Sequence, residues 1–157
     1  MDARLNLFEN KVAGKVLKHL AAANGVLKDS GLPTATQELV KIRASQINGC
    51  GFCTDMHVKE ALHAGENDQR LHLVATWREA TVFTEAERAA LELAEQATRI
   101  ADAAGGVPDE VWANAARHYD EDDLTTLVVL IAMINAYNRV NVAVRQPAGS
   151  YRVGQHF

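Results

Sequence analysis

Cys50-Gly51-Phe52-Cys53-Thr54-Asp55-Met56-His57 contains both cysteines of the chain, two residues between them, and a histidine four positions beyond the second. In a helix, at about 100° per residue, Cys50 and His57 point within roughly 20° of each other and Cys53 lies about 60° away. Two thiols and an imidazole then share one face. Such a face can cycle between dithiol and disulfide, with a group that moves protons alongside. The chain reads as a redox enzyme.

A Cys-x-x-Cys pair at a helix start brings the sulfurs close enough to join with little backbone movement. The helix N-terminus carries partial positive charge and unpaired N–H groups, which favour thiolate over thiol. Cys53, deeper in the first turn and one turn from His57, is the candidate nucleophile. Cys50, expected at the exposed edge, is the candidate resolving or exchange thiol. A lone histidine on an interior face is ordinarily a hydrogen-bonded core residue. The i, i+4 spacing from Cys53 shifts that balance, because such side chains meet. A charged imidazole would lower the thiol pKa, and a neutral one would accept its proton.

Zinc also takes thiolate and imidazole, but a structural site wants four ligands. The chain has no third cysteine, and His19, His63, His72, His118 and His156 repeat no ligand spacing. Redox chemistry is therefore preferred to metal binding, with an inert buried pair a weaker reading still.

With 157 residues, 48% hydrophobic and 23% charged, the chain suits a single domain with a real core. A net charge of −4, with no basic cluster, argues against nucleic acid as a partner. The start, Met1-Asp2-Ala3-Arg4-Leu5-Asn6, lacks the apolar core of an export signal, so cytoplasmic residence is expected. There, closely spaced cysteines are catalytic or metal-binding more often than structural. Leu124 to Val144 is long and apolar. Thr125, Thr126, Asn135, Asn138, Arg139 and Asn141 interrupt it, so a core or interface helix is expected rather than a membrane span.

Helical spacing dominates, and no segment alternates as a half-buried strand does. A first helix is expected over Phe8 to Leu27, with Val12, Val16, Leu20 and Ala23 along one stripe. Gly31-Leu32-Pro33 ends it. Thr34 and Gln37 match a capping box for a second helix, about Ala35 to Ile47. Asn48-Gly49 separates that helix from the cysteine helix, roughly Cys50 to His63. Asn67 caps a short helix, and Thr84 with Glu87 caps a long one reaching about Ala103. Pro108 opens the next, since proline and acids suit a first turn. Asp120 to Asp123 prefaces the last, which runs to about Val144, before an irregular tail from Gln146. The expected architecture is all-α, with six or seven helices.

The wider stretch Glu38-Leu39-Val40-Lys41-Ile42-Arg43-Ala44-Ser45-Gln46-Ile47-Asn48-Gly49-Cys50-Gly51-Phe52-Cys53, closing at His57, resembles the alkylhydroperoxidase AhpD / carboxymuconolactone decarboxylase family. Trp77-Arg78-Glu79, Phe83-Thr84-Glu85-Ala86-Glu87-Arg88 and Ile134-Asn135-Ala136-Tyr137-Asn138-Arg139 look like it too, so the resemblance runs from about residue 9 to about 148. It implies an AhpD-like helical fold, a homo-oligomer built as a trimer or a multiple of one, and peroxide reduction by the cysteine pair. By motif position, Cys53 would attack the peroxide, Cys50 would resolve, and Glu38 and His57 would relay protons. Spacing alone does not single out Glu38. The best-known alkylhydroperoxidases carry a second histidine between the cysteines, where this chain has Phe52, so the relay has one member fewer. Lactone decarboxylases of the superfamily generally lack the cysteine pair, which disfavours decarboxylation.

The expected function is a thiol-dependent peroxidase that takes its electrons from an external dithiol. No cofactor is expected, since no Gly-rich phosphate loop is present. A disulfide oxidoreductase or redox-sensing partner protein using the same pair is the alternative. A substrate-sized apolar pocket beside Cys53 would favour the peroxidase, and a flat exposed face would favour protein exchange. Leu124, Leu127, Val128, Val129, Leu130, Ile131, Ala132 and Ile134 cover every side of their helix, so apolar surroundings are expected nearly all round it; burial inside one subunit is one source, and the resemblance favours a neighbouring subunit as the other.

Overall fold

The structure, a computed structural model, describes residues 2–155. Met1 and His156, both used in the sequence reading, lie outside the described residues. The described chain is all-helical: α1 (Lys11–Lys28), α2 (Thr34–Ile47), α3 (Gly51–His63), α4 (Asp68–Leu73) with a 3-10 turn (Val74–Thr76), α5 (Glu85–Thr98), α6 (Asp109–Ala115) and α7 (Glu121–Val144). No strand occurs among the described residues.

Helix α2 is central, packed against α3, α5 and α7. Its apolar residues therefore point to both sides. Val40 joins Leu27, Leu93, Leu127 and Ile131 in one cluster, while Leu39 and Ile42 join Leu71, Val74, Trp77 and Leu91 in another. A third, smaller cluster of Ala44, Phe52, Ile134 and the two cysteines lies where α2, α3 and α7 meet. Buried Glu95 on α5 ties the layers together, accepting from Arg43 of α2 at 2.6 Å and from the Trp77 indole at 3.0 Å.

Several expected boundaries hold and others move. The Thr84/Glu87 capping box forms in full. The Thr34/Gln37 box does not: Pro33 is the N-cap of α2, and buried Gln37 instead donates to the carbonyls of Leu27 and Leu32. The Leu27 carbonyl also accepts from Ser30, so it is the Leu32 carbonyl in the α1–α2 connection that depends on Gln37, and satisfying it outweighs a cap at a solvent-facing helix end. Helix α5 stops at Thr98 rather than Ala103, because the chain beyond it has no core to cover and Ile100 is exposed. Helix α1 starts at Lys11 behind an Asn10 cap, and its expected stripe is not buried: Val12 is 72% exposed and Val16 53%.

Helix α7 has the length and apolar content of a membrane span. In the fold it lies against α1, α2, α3 and α5, burying Leu127, Leu130, Ile131 and Ile134. Val128, Val129, Val140 and Val142 remain exposed, so the surroundings within one chain are apolar on one side only.

Candidate active site

Gly49 (φ +67°) turns the chain sharply after α2, and Cys50 becomes the N-cap of α3. Its Sγ accepts from the Cys53 backbone N–H at 3.3 Å, occupying the third orphan donor of the helix. The two cysteines are joined as a disulfide, Cα to Cα 5.4 Å. The expectation of an exposed Cys50 fails: it is 2% exposed and Cys53 is 0%. Ala148 of the tail packs 3.4 Å from where a Gly51 side chain would begin, and Phe52 and Ile134 enclose the pair. The tail itself is held down by Lys59, which donates to the carbonyls of Gly149 and Tyr151.

The two cysteines differ in what they border. Cys53 forms part of the wall of a cavity of about 480 Å3, and Cys50 does not. The cavity lies between α1, α2, α3 and α7. Leu17, Phe52, Met56, Leu130, Ile134 and Val140 supply its apolar lining. Glu38 and His57 line it too.

Glu38 on α2 and His57 on α3 meet across the helix interface, with Nδ1 to Oε2 at 2.9 Å. The other carboxylate oxygen accepts from Lys41 Nζ at 2.5 Å, one turn along α2. Burial pushes the Glu38 carboxyl up. The hydrogen bond and charge of His57, with the charge of Lys41, outweigh it and hold the group at about 2. Burial pushes His57 down and the Lys41 charge adds to that, while the hydrogen bond and charge of Glu38 pull it back up without restoring its ordinary 6.5. The pair is thus a carboxylate and a neutral imidazole near neutral pH. A carboxylate only accepts, so Nδ1 carries the ring proton and Nε2 keeps a free lone pair. No hydrogen bond joins His57 to either sulfur among the described residues. The Nδ1 of His57 is directed at Glu38, and His57 and Cys53 border the same cavity.

A row of asparagines on α7 completes the surroundings. Asn141 on α7 directs its Nδ2 at Cys53 Sγ, 3.4 Å away. It ends a polar row at every third residue of α7. Asn135 bonds Thr98, and Asn138, wholly buried, bonds Ser45, while Asn48 donates to both, each at 2.9 Å. The row fixes α7 against the α2–α3 turn that carries the cysteines. Lys41 and Asn141 were not picked out from the sequence. The i, i+3 spacing Glu38–Lys41 and the asparagines set in an apolar helix are the signals that carry them. Among the described residues, no three His, Cys, Asp or Glu side chains come together as a metal-holding group.

Comparison with known proteins agrees with this architecture. The profile of the carboxymuconolactone decarboxylase family matches residues 15–96. Uncharacterized protein YdfG of Bacillus subtilis is 38% identical over 150 residues, covering 96% of this chain and 99% of that one. Uncharacterized protein YnjA of Escherichia coli is 37% identical over 122 residues, 77% of this chain and 65% of that one. A crystal structure from Agrobacterium tumefaciens, of a protein of unknown function titled as a candidate antioxidant defence protein AhpD, superposes with a TM-score of 0.87. Its identity is 36%, over 96% of this chain and 100% of that one. The debrominase Bmp8 in complex with 2,3,4-tribromopyrrole shares the fold at 21% identity, with a TM-score of 0.78 over 92% of this chain and 74% of its own. This chain belongs to the carboxymuconolactone decarboxylase family and has its AhpD-like helical fold.

Proposed function

We propose that the protein is a thiol-dependent peroxidase acting on organic hydroperoxides. The observation that carries this reading is the Cys50–Cys53 disulfide, whose Cys53 borders an apolar cavity that Glu38 and His57 also line. In the reduced protein, the Cys53 thiol loses its proton to the free Nε2 of His57, and Glu38 stabilises the imidazolium so formed. The thiolate attacks the terminal peroxide oxygen and the O–O bond breaks. The departing alkoxide takes the proton back from His57 and leaves as an alcohol, with Cys53 now a sulfenic acid. The Cys50 thiol condenses with it, releasing water and forming the disulfide seen here. An external dithiol donates two electrons and two protons by exchange, returning both thiols.

An apolar cavity beside Cys53, rather than a flat exposed face, favours a small organic substrate over a protein as the direct oxidant. The related Agrobacterium tumefaciens structure, described as a candidate antioxidant defence protein, supports a redox role. We also propose that the chain works as a homo-oligomer, on the exposed apolar residues of α1 and α7.

Steady-state turnover of a panel of hydroperoxides, each with a panel of dithiols, tests the peroxidase reading. The expected result is catalytic peroxide loss in step with dithiol oxidation, abolished by Cys53→Ser. A reduced protein that keeps both thiols under excess hydroperoxide would overturn it.

A further inference from the structure

We propose that Asn141 is a catalytic residue, whose carboxamide N–H holds negative charge on the Cys53 sulfur. The assignment rests on the reading of Cys53 as the attacking thiol, and it follows from counting the donors available at each sulfur.

Cys53 is completely covered by protein, and burial alone disfavours a thiolate. The usual remedy is the start of a helix. Here that remedy is taken: the Cys53 backbone N–H, the donor closest to hand, is directed at Cys50 Sγ. His57 turns its Nδ1 to Glu38. Among the described residues, Asn141 Nδ2 is the side-chain donor that reaches Cys53 Sγ. Each sulfur thus has its own donor, the helix end for Cys50 and the α7 amide for Cys53.

The backbone that carries the arm is held in place. The Asn141 main-chain carbonyl accepts from Gln146 N–H at 2.9 Å where Arg145 turns left-handed (φ +56°) and closes α7. Three residues back, Asn138 is fixed to Ser45 and Asn48 on the segment leading to the cysteines. An amide is neutral at every working pH, so its donor is always present. In the peroxidase step it stabilises the thiolate before attack. It holds the same sulfur again when a dithiol reopens the disulfide and Cys53 leaves as thiolate.

The test uses the full chain with Cys50→Ser, which keeps a capping oxygen at the helix start and leaves Cys53 as the one thiol. The rate of alkylation by iodoacetamide is followed against pH, with and without changes at Asn141. Asn141→Leu removes the donor at similar size, and Asn141→Asp replaces it with a negative charge. Both are expected to move the midpoint upward, with Asn141→Asp moving it further. Below the midpoint Asn141→Leu should react about tenfold more slowly, at an unchanged high-pH plateau. A purely structural role would lower the melting temperature or the plateau and leave the midpoint alone. An unshifted midpoint in folded variants overturns the proposal.

A second measurement needs no change at Asn141. In the Cys50→Ser chain, the side-chain amide resonances of Asn141 should titrate with the Cys53 midpoint, and resonances that ignore it overturn the proposal equally. Neither readout uses peroxide. Failure of the Asn141 assignment and failure of the peroxidase reading are therefore told apart.

Discussion

His57 Nδ1 donates to Glu38 Oε2 at 2.9 Å, and this bond between α3 and α2 fixes which nitrogen of the imidazole is free. Because His57 and Lys41 together keep Glu38 ionised, the ring cannot turn its bare nitrogen toward the carboxylate without facing it lone pair to lone pair. The base is therefore oriented by a charge pair on α2, a helix that carries neither sulfur. Glu38→Gln and His57→Gln are each expected to slow peroxide reduction by roughly ten- to ten-thousand-fold. Stopped-flow oxidation of the reduced protein measures it. Unchanged rates in both folded variants would make the pair structural.

The cysteines should behave unequally. Cys53→Ser is expected to abolish the first oxidation. Cys50→Ser should consume about one equivalent of peroxide and stop as a sulfenic acid, trapped by dimedone and weighed by mass spectrometry. The sequence argues from a position for Cys53 deeper in the turn and next to His57, and burial does not separate the two cysteines, since both are buried. The reason the structure supplies is the cavity, whose wall includes Cys53 and not Cys50. Sulfenic acid forming on Cys50 in the Cys53→Ser protein, with an inert Cys50→Ser protein, would reverse the assignment.

Much of the fold was written in the chain's punctuation. Asn67, Thr84 with Glu87, Pro108 and Asp120 each open the helix their chemistry predicts. Local signals failed where a distant group needed the same side chain. Gln37 has the right spacing to cap α2, yet two buried carbonyls claim it. The stripe Val12–Val16 has the period of a core face, but one chain supplies nothing to cover it. The site divides likewise. Cys50, Cys53 and His57 lie within eight residues and share a helix, so spacing reveals them. Glu38 enters from another helix and is visible only through resemblance. Asn141 reaches Cys53 from 88 positions away, a meeting that no local period encodes.

Acid should weaken the fold through the same pair. Glu38 sits at about 2 in the folded protein against 4.5 unfolded, so its contribution is full above 4.5 and is lost as pH falls toward 2. His57 is also depressed in the fold. Below 6.5 the unfolded chain takes up a proton that the folded one resists, so this contribution too declines with acid. Both slopes have the same sign. Glu38→Gln should flatten the lower part of the stability curve, by an amount on the order of 1–3 kcal/mol, and His57→Gln the part beginning near 6.5. Urea midpoints measured from pH 8 to pH 3 would read this out, and parallel curves for the parent and Glu38→Gln would contradict it.

Association is expected through the apolar surface that α1 and α7 leave open. Val12 and Val26 are 72% and 73% exposed on α1, and Val128, Val129, Val140 and Val142 lie bare on α7. Scattered apolar residues are ordinary on a protein surface, but these fall on two helices packed against each other, and both line the cavity. Leu7, Phe8 and Leu17 border that cavity, so a second copy seated on α1 would lie close to its mouth. The expected result is a homo-oligomer, a trimer or a multiple of one, in light scattering at micromolar concentration. Val12→Glu with Val16→Glu should lower the mass toward 17.1 kDa without unfolding the chain, because neither side chain is buried in the fold. A parent protein that scatters as a 17.1 kDa monomer would defeat the prediction, while leaving the chemistry of the cysteine pair untouched.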